Sequence, residues 1–319
     1  MARLEHPGKK SYFHLLSSGR KPSEYAIRSG RLDYYRGARF EVDAPLAAWF
    51  ERHGAERDFP ACDWERFEDP SAFTYASYVT RRRDDELFVG RLLEESEGRP
   101  SHGEPLSEAW SRCLSPLRFV YHGLQLSSAY VAHMAPASKI SIAAMFQAAD
   151  ELRRVQRVAY RLVQLERTTG SKLAQAGREA WLSEPAWQGV RALIENLLAS
   201  YDFGEALVAL NAVIAPACDH VFLHGLSQHL ERAGDIASAR LLQALLSDTA
   251  WHRSWSRALF ALVESSGHES ATRLESLTQR WRPRAIEAFA PFATHFFNVG
   301  GRELSDLLAG VMHARSSNG

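Results

Sequence analysis

The sequence predicts an all-α protein in which long helices are joined by short connections. Apolar residues recur at three- and four-residue steps in several long segments, as on the buried face of a helix. The alternation of apolar and polar residues that marks a strand is nearly absent, and no repeat of fixed period is found. With 319 residues, 45% of them hydrophobic, the chain is long enough to bury a sizeable core. We therefore expect a helical bundle.

Residues 1–68 differ from the rest and are predicted to form an extended N-terminal arm. They are rich in proline, glycine, arginine and aromatic residues but show no sustained helical period. Because a disordered polar tail carries few aromatic residues, we expect the arm to lie on a surface. That surface is either this chain's own helical domain or a partner chain. The tyrosines singled out in the arm are Tyr12, Tyr25, Tyr34 and Tyr35.

Residues 69–319 are predicted to form the helical domain. Asp69 is placed to cap its first helix and Pro70 fits the first turn, and this helix is expected to reach about residue 95. The composition of 94–105 indicates a linker, and the Gly-Gly-Arg sequence at 300–302 is interpreted as a turn. Further helices are predicted over 117–134, 138–166, 185–199, 203–231, 236–264, 268–280 and 284–296.

Composition and charge exclude several classes of function. The 38 basic residues balance 38 acidic ones, and the arginine run 81–83 is followed at once by the acidic run 84–86. This indicates a solvated face of mixed charge rather than a nucleic-acid contact. The cysteines, which include no C-x-x-C pair, are Cys62, Cys113 and Cys218. No signal peptide and no stretch of ~18 apolar residues is evident. We expect a soluble cytoplasmic protein without nucleic-acid or membrane partners.

Two segments approach the ligand pattern of a ferritin-like diiron protein, and both depart from it. Such proteins take one carboxylate from each of two helices and a Glu-x-x-His pair from each of two others. Glu151 is followed three residues on by Arg154, whose guanidinium offers no lone pair to a metal. Thr249 precedes His252, so that imidazole lacks a carboxylate partner and is expected to be a core histidine. Arg154 either replaces the charge of a lost metal ion beside Glu151 or forms an ordinary helical ion pair.

Other motifs give weaker signals. His220 and His224 share one helical face at a spacing compatible with zinc, but the adjacent glutamate and a third ligand are missing. The sequence contains no G-x-S-x-G elbow, no phosphate-binding glycine loop and no G-x-G-x-x-G motif. The residues alone therefore indicate no nucleophile and no nucleotide site.

The run SPLRFVYHGLQLSSAYVAHMAPASKISIAAMFQAADELRRVQRVAYRLVQL (115–165) resembles the β subunit of the hydroxylase component of bacterial multicomponent diiron monooxygenases. The likeness is to the toluene and alkene branch rather than the methane branch. Matching segments are spread over about 21–285, so the resemblance covers nearly the whole chain. They are KPSEYAIRSGRLDYY (21–35), DWERFEDPSAFTY (63–75), EPAWQGVRALIENLLASYDFGEALVALN (184–211), WHRSWSRALF (251–260) and RWRPRA (280–285).

The resemblance implies a ferritin-like bundle that holds no iron and carries no active site of its own. It implies an iron-binding α subunit and a small γ subunit as partners, in an (αβγ)2 assembly, with the N-terminal arm lying across the partner. It also implies a reductase, a ferredoxin and a regulatory protein. The NADH-dependent complex would use the diiron centre of α to insert one oxygen atom from O2 into an aromatic or alkene hydrocarbon.

The ligand pattern of such an iron-binding subunit, laid over this chain, falls near six positions. They are Tyr121, Glu151, Arg154, Ala217, Thr249 and His252. Only two of them keep a ligand residue type, and these two belong to different half-sites, so no catalytic, cofactor-binding or metal residue is predicted here. The predicted partner interface comprises helices within 117–160 and six tyrosines, Tyr12, Tyr25, Tyr34, Tyr35, Tyr121 and Tyr130.

Two alternative functions stay open on the sequence. A stand-alone, diverged ferritin-like metal oxidase would use Glu151 and His252 together with Glu205 or Asp248. A helical module that binds a hydrophobic ligand in a central cavity would differ by being a stable monomer, whereas an obligate subunit behaves poorly alone.

Overall fold

The computed structural model describes residues 23–29, 44–96 and 104–312, and within these ranges every regular element is a helix. Helices α4 and α12 continue into π-helical turns over Ala109–Leu114 and Ala293–Phe297, and α9 contains two π-helical segments, Ala209–Ile214 and Asp219–Gly225. The helices are α1 (Glu24–Ser29), α2 (Ala44–His53), α3 (Tyr75–Ser96), α4 (Glu104–Glu108), α5 (Leu117–Met134), α6 (Ser138–Thr169), α7 (Leu173–Ser183), α8 (Pro185–Leu198), α9 (Phe203–Arg232), α10 (Ile236–Leu246), α11 (Thr249–Ser265), α12 (His268–Phe292) and α13 (Gly301–Val311).

The prediction of an all-α bundle is confirmed, and several helices begin at the expected residue. Pro116 directly precedes α5, and Pro185 occupies the first turn of α8, where its missing N–H costs nothing. Helix α6 runs three residues beyond the predicted end and stops at Gly170, whose φ of 72° is the left-handed conformation that favours glycine.

The predicted start of α3 is wrong. Asp69 Oδ1 accepts a hydrogen bond from the Ser71 backbone N–H (2.9 Å) and so closes a turn instead of capping a helix. The helix begins six residues later, where Thr74 and Ser77 cap each other: Ser77 N–H donates to Thr74 Oγ1 (3.2 Å) and Thr74 N–H donates to Ser77 Oγ (2.9 Å).

Two predicted connections are also wrong. The segment 236–264 is two helices, α10 and α11, separated at Ser247 and Asp248. Conversely, 268–296 is one continuous helix, since Pro283 lies within α12 without ending it. Helices α4, α7 and α13 were not predicted, and α13 begins at the glycine pair that was interpreted as a turn. Residues 97–103 of the predicted linker lie outside the described residues.

Helix α9 forms the centre of the core. By length and composition it alone among the helices of the described ranges could cross a membrane, contrary to the sequence prediction, but 94% of its apolar window is buried inside the chain. It is therefore the core helix of the bundle. The interior residues discussed below come mainly from α9, α5, α6 and α11, together with side chains of α3 and with Asp248 directly before α11.

The described part of the N-terminal arm lies on this chain's own helices. Tyr25 of α1 is buried, and Ser138 of α6 donates its hydroxyl to the Ser29 carbonyl (2.7 Å). Between α2 and α3, three aromatic side chains enter the hydrophobic core, Phe59, Trp64 and Phe67. Wrapping of a partner by the arm stays a prediction, and Tyr12, Tyr34 and Tyr35 lie outside the described residues.

Candidate functional site

The bundle interior contains a cluster of buried polar and charged side chains that includes four of the six predicted ligand positions. Tyr121 comes from α5, Glu151 and Arg154 from α6, and His252 from α11. The three-residue step from Glu151 to Arg154 places both on the same face of α6. Asp219 joins them from a π-helical turn of α9 (Asp219–Gly225), and all five are buried.

Arg154 is the centre of this cluster. Its Nη1 donates to both carboxylate oxygens of Glu151 (3.0 Å each) and to Asp219 Oδ1 (3.0 Å). The guanidinium carbon lies 5.5 Å from the centroid of the Tyr121 ring, a cation–π geometry. The helical ion pair between Arg154 and Glu151 is present, and both of its side chains are fully buried. Replacement of the charge of a lost metal ion by Arg154 stays a prediction.

Burial and pairing act on the protonation of this cluster in opposite directions. Burial lowers the pKa of Arg154, but the carboxylates of Glu151 and Asp219 outweigh it and the pKa rises, so the guanidinium stays charged. Burial raises the pKa of Glu151 to about 7, even though Arg154 and His252 favour its charged form. The single cation of Arg154 therefore leaves one of its two carboxylate neighbours incompletely compensated.

A second set of ion pairs surrounds Asp150, which is completely buried. It accepts hydrogen bonds from Arg82 Nε (2.6 Å) and Nη2 (2.8 Å) and from the Tyr78 hydroxyl (2.8 Å), and His252 Nε2 lies 3.0 Å from Oδ2. Burial alone would raise its pKa, but His252 and Arg82 hold the pKa of Asp150 at about 2. The same interactions tie α3 and α11 to α6.

Asp248 extends this second set. Its Oδ1 lies 2.7 Å from Arg82 Nη1, and its Oδ2 accepts from Arg153 Nη2. Arg153 also contacts Glu86 of α3 (3.1 Å). The expectation that the charged run of 81–86 is a solvated face is therefore wrong for Arg82, which is buried, although Arg83 and Asp84 are exposed.

The structure brings together four of the six predicted positions and leaves two apart. The Thr249 hydroxyl turns back onto the Leu246 carbonyl (2.8 Å), and Ala217 is buried without a polar side chain. Asp219, two residues further along α9, supplies the carboxylate instead. The sequence signal was an acidic residue, Asp219, directly after the apolar run 212–218, and its role depends on which face of the helix it occupies.

The other candidate residues lie elsewhere. Glu205 accepts from Trp281 Nε1 (3.0 Å) and from Arg280 (3.2 Å). The rings of His220 and His224 are 5.6 Å apart, and burial lowers the pKa of His220. Throughout 23–29, 44–96 and 104–312, no three His, Cys, Asp or Glu side chains are grouped so that they could hold a metal ion.

The donor set around Arg154 does not fit a diiron centre. The side chains that face one another are one glutamate, one aspartate, one histidine and a tyrosine, and a permanently charged guanidinium lies between the carboxylates. Two iron ions need several carboxylates to balance their charge. The cluster as it stands in this chain therefore supports no diiron chemistry.

Long helices that converge on a buried cluster of carboxylates define the ferritin-like class of helical proteins, as predicted. The chain belongs to the Methane/Phenol/Alkene Hydroxylase family, whose model matches residues 49–266. This confirms the family resemblance recognised in the sequence.

Individual relatives agree with this assignment. The chain is 35% identical over 295 residues to the beta subunit of the hydroxylase component of the toluene-4-monooxygenase system of Ectopseudomonas mendocina, covering 88% of this chain and 89% of that one. It is 28% identical to an oxygenase component of phenol 2-monooxygenase from Pseudomonas sp. strain CF600, covering 72% and 70%. A chain in a solved structure of toluene 4-monooxygenase superposes with a TM-score of 0.80 at 32% identity, covering 91% and 99%.

Proposed function

We infer that this chain is the structural β subunit of the hydroxylase component of a multicomponent monooxygenase. Relatives named as a beta or small subunit of such hydroxylases support this function. The complex inserts one oxygen atom from O2 into an aromatic or alkene hydrocarbon, and this chain contributes support rather than chemistry. The proposal includes a diiron-binding α partner, a small γ subunit, an (αβγ)2 assembly, the associated reductase, ferredoxin and regulatory protein, and a cytoplasmic location.

An exposed apolar stripe on α6 carries the proposal. Five apolar residues recur along one face of the helix and are solvent-exposed in the isolated chain. One polar residue, Gln156, lies on the same face and interrupts them. Contiguous exposed apolar surface of this kind marks an interaction site. The members of this α6 stripe are Met145, Ala149, Leu152, Tyr160 and Val163.

Helix α3 continues the apolar surface beside the α6 stripe. Tyr75 and Met145 line the same cavity of about 360 Å³, and Val79 follows Tyr75 by one turn of α3. Both Tyr75 and Val79 are exposed. A surface built from two neighbouring helices suits an apolar face of helices on a partner subunit.

Ion pairs between α3 and α6, on the side facing the core, stabilise the surface that these two helices form. Glu86 of α3 pairs with both Arg153 and Arg157 of α6, and Arg82 pairs with Asp150 one layer further in. These contacts fix α3 against α6 on the inner side of the exposed stripe. A metal site in a partner needs its helices held within a fraction of an ångström, and a rigid neighbouring surface supplies such support.

The predicted tyrosines differ in how well they suit a partner interface. Tyr121 is fully buried inside the bundle, so its predicted role in the interface is wrong for this conformation. Tyr25 is buried against this chain's own helices. Tyr130 donates its hydroxyl to the Tyr201 carbonyl (2.5 Å) and accepts from Trp49 Nε1 (3.1 Å), and it stays a proposed interface residue together with the α6 stripe.

The proposal is tested by placing a charge on the stripe. Leu152 of α6 and Leu182 of α7 have the same exposure, 42% each, so Leu152→Glu and Leu182→Glu form a matched pair. A carboxylate trapped in an apolar interface costs about 3 kcal/mol, which weakens binding by roughly 100-fold. Tagged variants are co-expressed with the iron-binding subunit encoded in the same genome, and the amount co-purified is measured.

We expect Leu152→Glu to lose the iron-binding subunit and Leu182→Glu to retain it. Thermal unfolding of both free chains is expected to match the wild type, because neither leucine is buried. Retention of the partner by Leu152→Glu at the wild-type level, with the variant folded, contradicts the assignment of this face.

A further inference from the structure

We propose that Glu151 and Asp219 form a cation-binding site inside the bundle and that the guanidinium of Arg154 occupies it. The site recognises the positive charge of its occupant rather than the planar shape of a guanidinium. The inference concerns this chain's interior alone and does not rest on the proposed function.

The geometry around one nitrogen atom is the first argument. Three carboxylate oxygens, two from Glu151 and one from Asp219, each lie 3.0 Å from Nη1 of Arg154. Arginine ordinarily meets a carboxylate through two parallel N–H donors, one from each of two nitrogens. Here both carboxylates converge on a single nitrogen, which is how oxygen ligands surround a small cation.

The unused hydrogen-bonding groups are the second argument. Nε and Nη2 of Arg154 have no hydrogen-bond partner, although Arg154 is completely buried. The hydroxyl of Tyr121, also fully buried beneath the guanidinium, has none either. A pocket shaped for the planar guanidinium would satisfy these donors, since leaving a buried donor unpaired is costly. The residues around Arg154 therefore recognise its positive charge and not the two-nitrogen donor geometry of its guanidinium.

The balance of charge is the third argument. Two carboxylates face one cation at the centre of the bundle, and they come from α6 and from α9. A further nitrogen, Nδ1 of His252, lies 3.9 Å from Glu151 Oε1. A site with two carboxylates has the charge to hold a divalent cation once the guanidinium is removed.

The proposal predicts an unusual order among substitutions at position 154. Arg154→Lys keeps a compact point charge and is expected to unfold within a few degrees of the wild type, although Lys does not normally replace a fork-binding Arg. Arg154→Met keeps the length without the charge, leaves the two carboxylates unpaired, and is expected to lower the midpoint of thermal unfolding by roughly 10 °C. Equal losses for both variants would overturn the proposal.

Cation binding is tested directly with Arg154→Ala, using Mn²⁺, which prefers carboxylate ligands. Binding is followed by the loss of the free-Mn²⁺ electron paramagnetic resonance signal and by the midpoint of thermal unfolding of the full-length chain. We expect Mn²⁺ to bind and to raise the midpoint of this variant only.

The matched control is Arg153→Ala. Arg153 also pairs with a buried carboxylate, Asp248, but no two carboxylates converge on one of its nitrogen atoms. No Mn²⁺ effect on Arg154→Ala, or an equal effect on Arg153→Ala, contradicts the site; should Arg154→Ala fail to fold, the Lys and Met pair decides.

Discussion

His252 Nε2 lies 3.0 Å from Asp150 Oδ2, while its Nδ1 lies 3.9 Å from Glu151 Oε1. One imidazole thus stands between the two halves of the buried charge cluster, in which Asp150 pairs with Arg82 and Glu151 with Arg154. Because a buried ion without its partner is strongly unfavourable, each carboxylate depends on its cation, and each cation on its carboxylate.

Asp150→Asn is expected to lower the free energy of unfolding by about 1–3 kcal/mol, because it removes the carboxylate that accepts from two nitrogens of the buried Arg82 and leaves this arginine with Asp85 and Asp248 alone. Urea unfolding measures the change. The control is Asp84→Asn on the same helix as Arg82, where the Arg83–Asp84 pair is 3.6 Å apart with both side chains largely exposed. That variant is expected to change stability by less than ~0.5 kcal/mol. Similar losses for the two variants contradict the burial of the Arg82 pairing.

Stability is expected to fall with rising pH through the titration of Glu151. Burial raises its pKa in the folded chain from 4.5 to about 7, so the folded state binds this proton more tightly than the unfolded state. The stabilisation is full below about pH 4.5 and is lost as the pH rises to about 7. The contribution of Asp150 lies outside this window, because its pKa is held at about 2 and its stabilisation is lost only as the pH falls below 3.8.

The measurement compares the wild type with Glu151→Gln, which cannot titrate. Relative to the variant, the wild type is expected to lose roughly 2–3 kcal/mol of unfolding free energy between about pH 4.5 and pH 7, at 1.36 kcal/mol per pKa unit. A stability difference that stays constant across this range contradicts a raised pKa of Glu151 in the folded chain.

Gly204→Ala is expected to loosen the segment between α2 and α3 from α9. A Cβ at Gly204 would lie 2.5 Å from both Cβ and Oδ2 of Asp58, so the segment has to shift at a cost of about 1–3 kcal/mol. Asp58 also pairs with Arg273 of α12 (2.6 Å), which holds it in place. Gly90→Ala in α3 is the control: open space surrounds that position, and alanine there is expected to stabilise by about 0.5–1 kcal/mol. A neutral Gly204→Ala contradicts the close packing of this segment on the bundle.

The sequence predicted those helices whose ends carry a local signal. Pro116, Pro185 and Gly170 each mark a boundary that depends only on backbone chemistry, and there the predicted and observed helices agree closely. Pro283 misled for the opposite reason, because the fully buried Ala285 and the almost fully buried Trp281 beside it hold α12 together through tertiary packing.

The site was predicted only in part, for a related reason. Spacing along one helix places Glu151 and Arg154 on a single face, so their pairing followed from the sequence. Which residue of another helix meets them depends on the rotation of that helix, and the π-helical turn of α9 brings in Asp219 rather than Ala217. The burial of Arg82 was not predicted, because it lies in a run of three arginines and the hydrophobic periodicity does not decide which of them faces the core.

Metal analysis of the separated subunits tests the central claim most directly. The hydroxylase complex is purified, its chains are separated under non-denaturing conditions, and the iron content and visible spectrum of each are measured. A structural subunit whose interior cation is Arg154 is predicted to carry no stoichiometric iron and no iron absorption, with the iron retained by its partner. A pair of iron ions bound to each isolated copy of this chain would contradict the account.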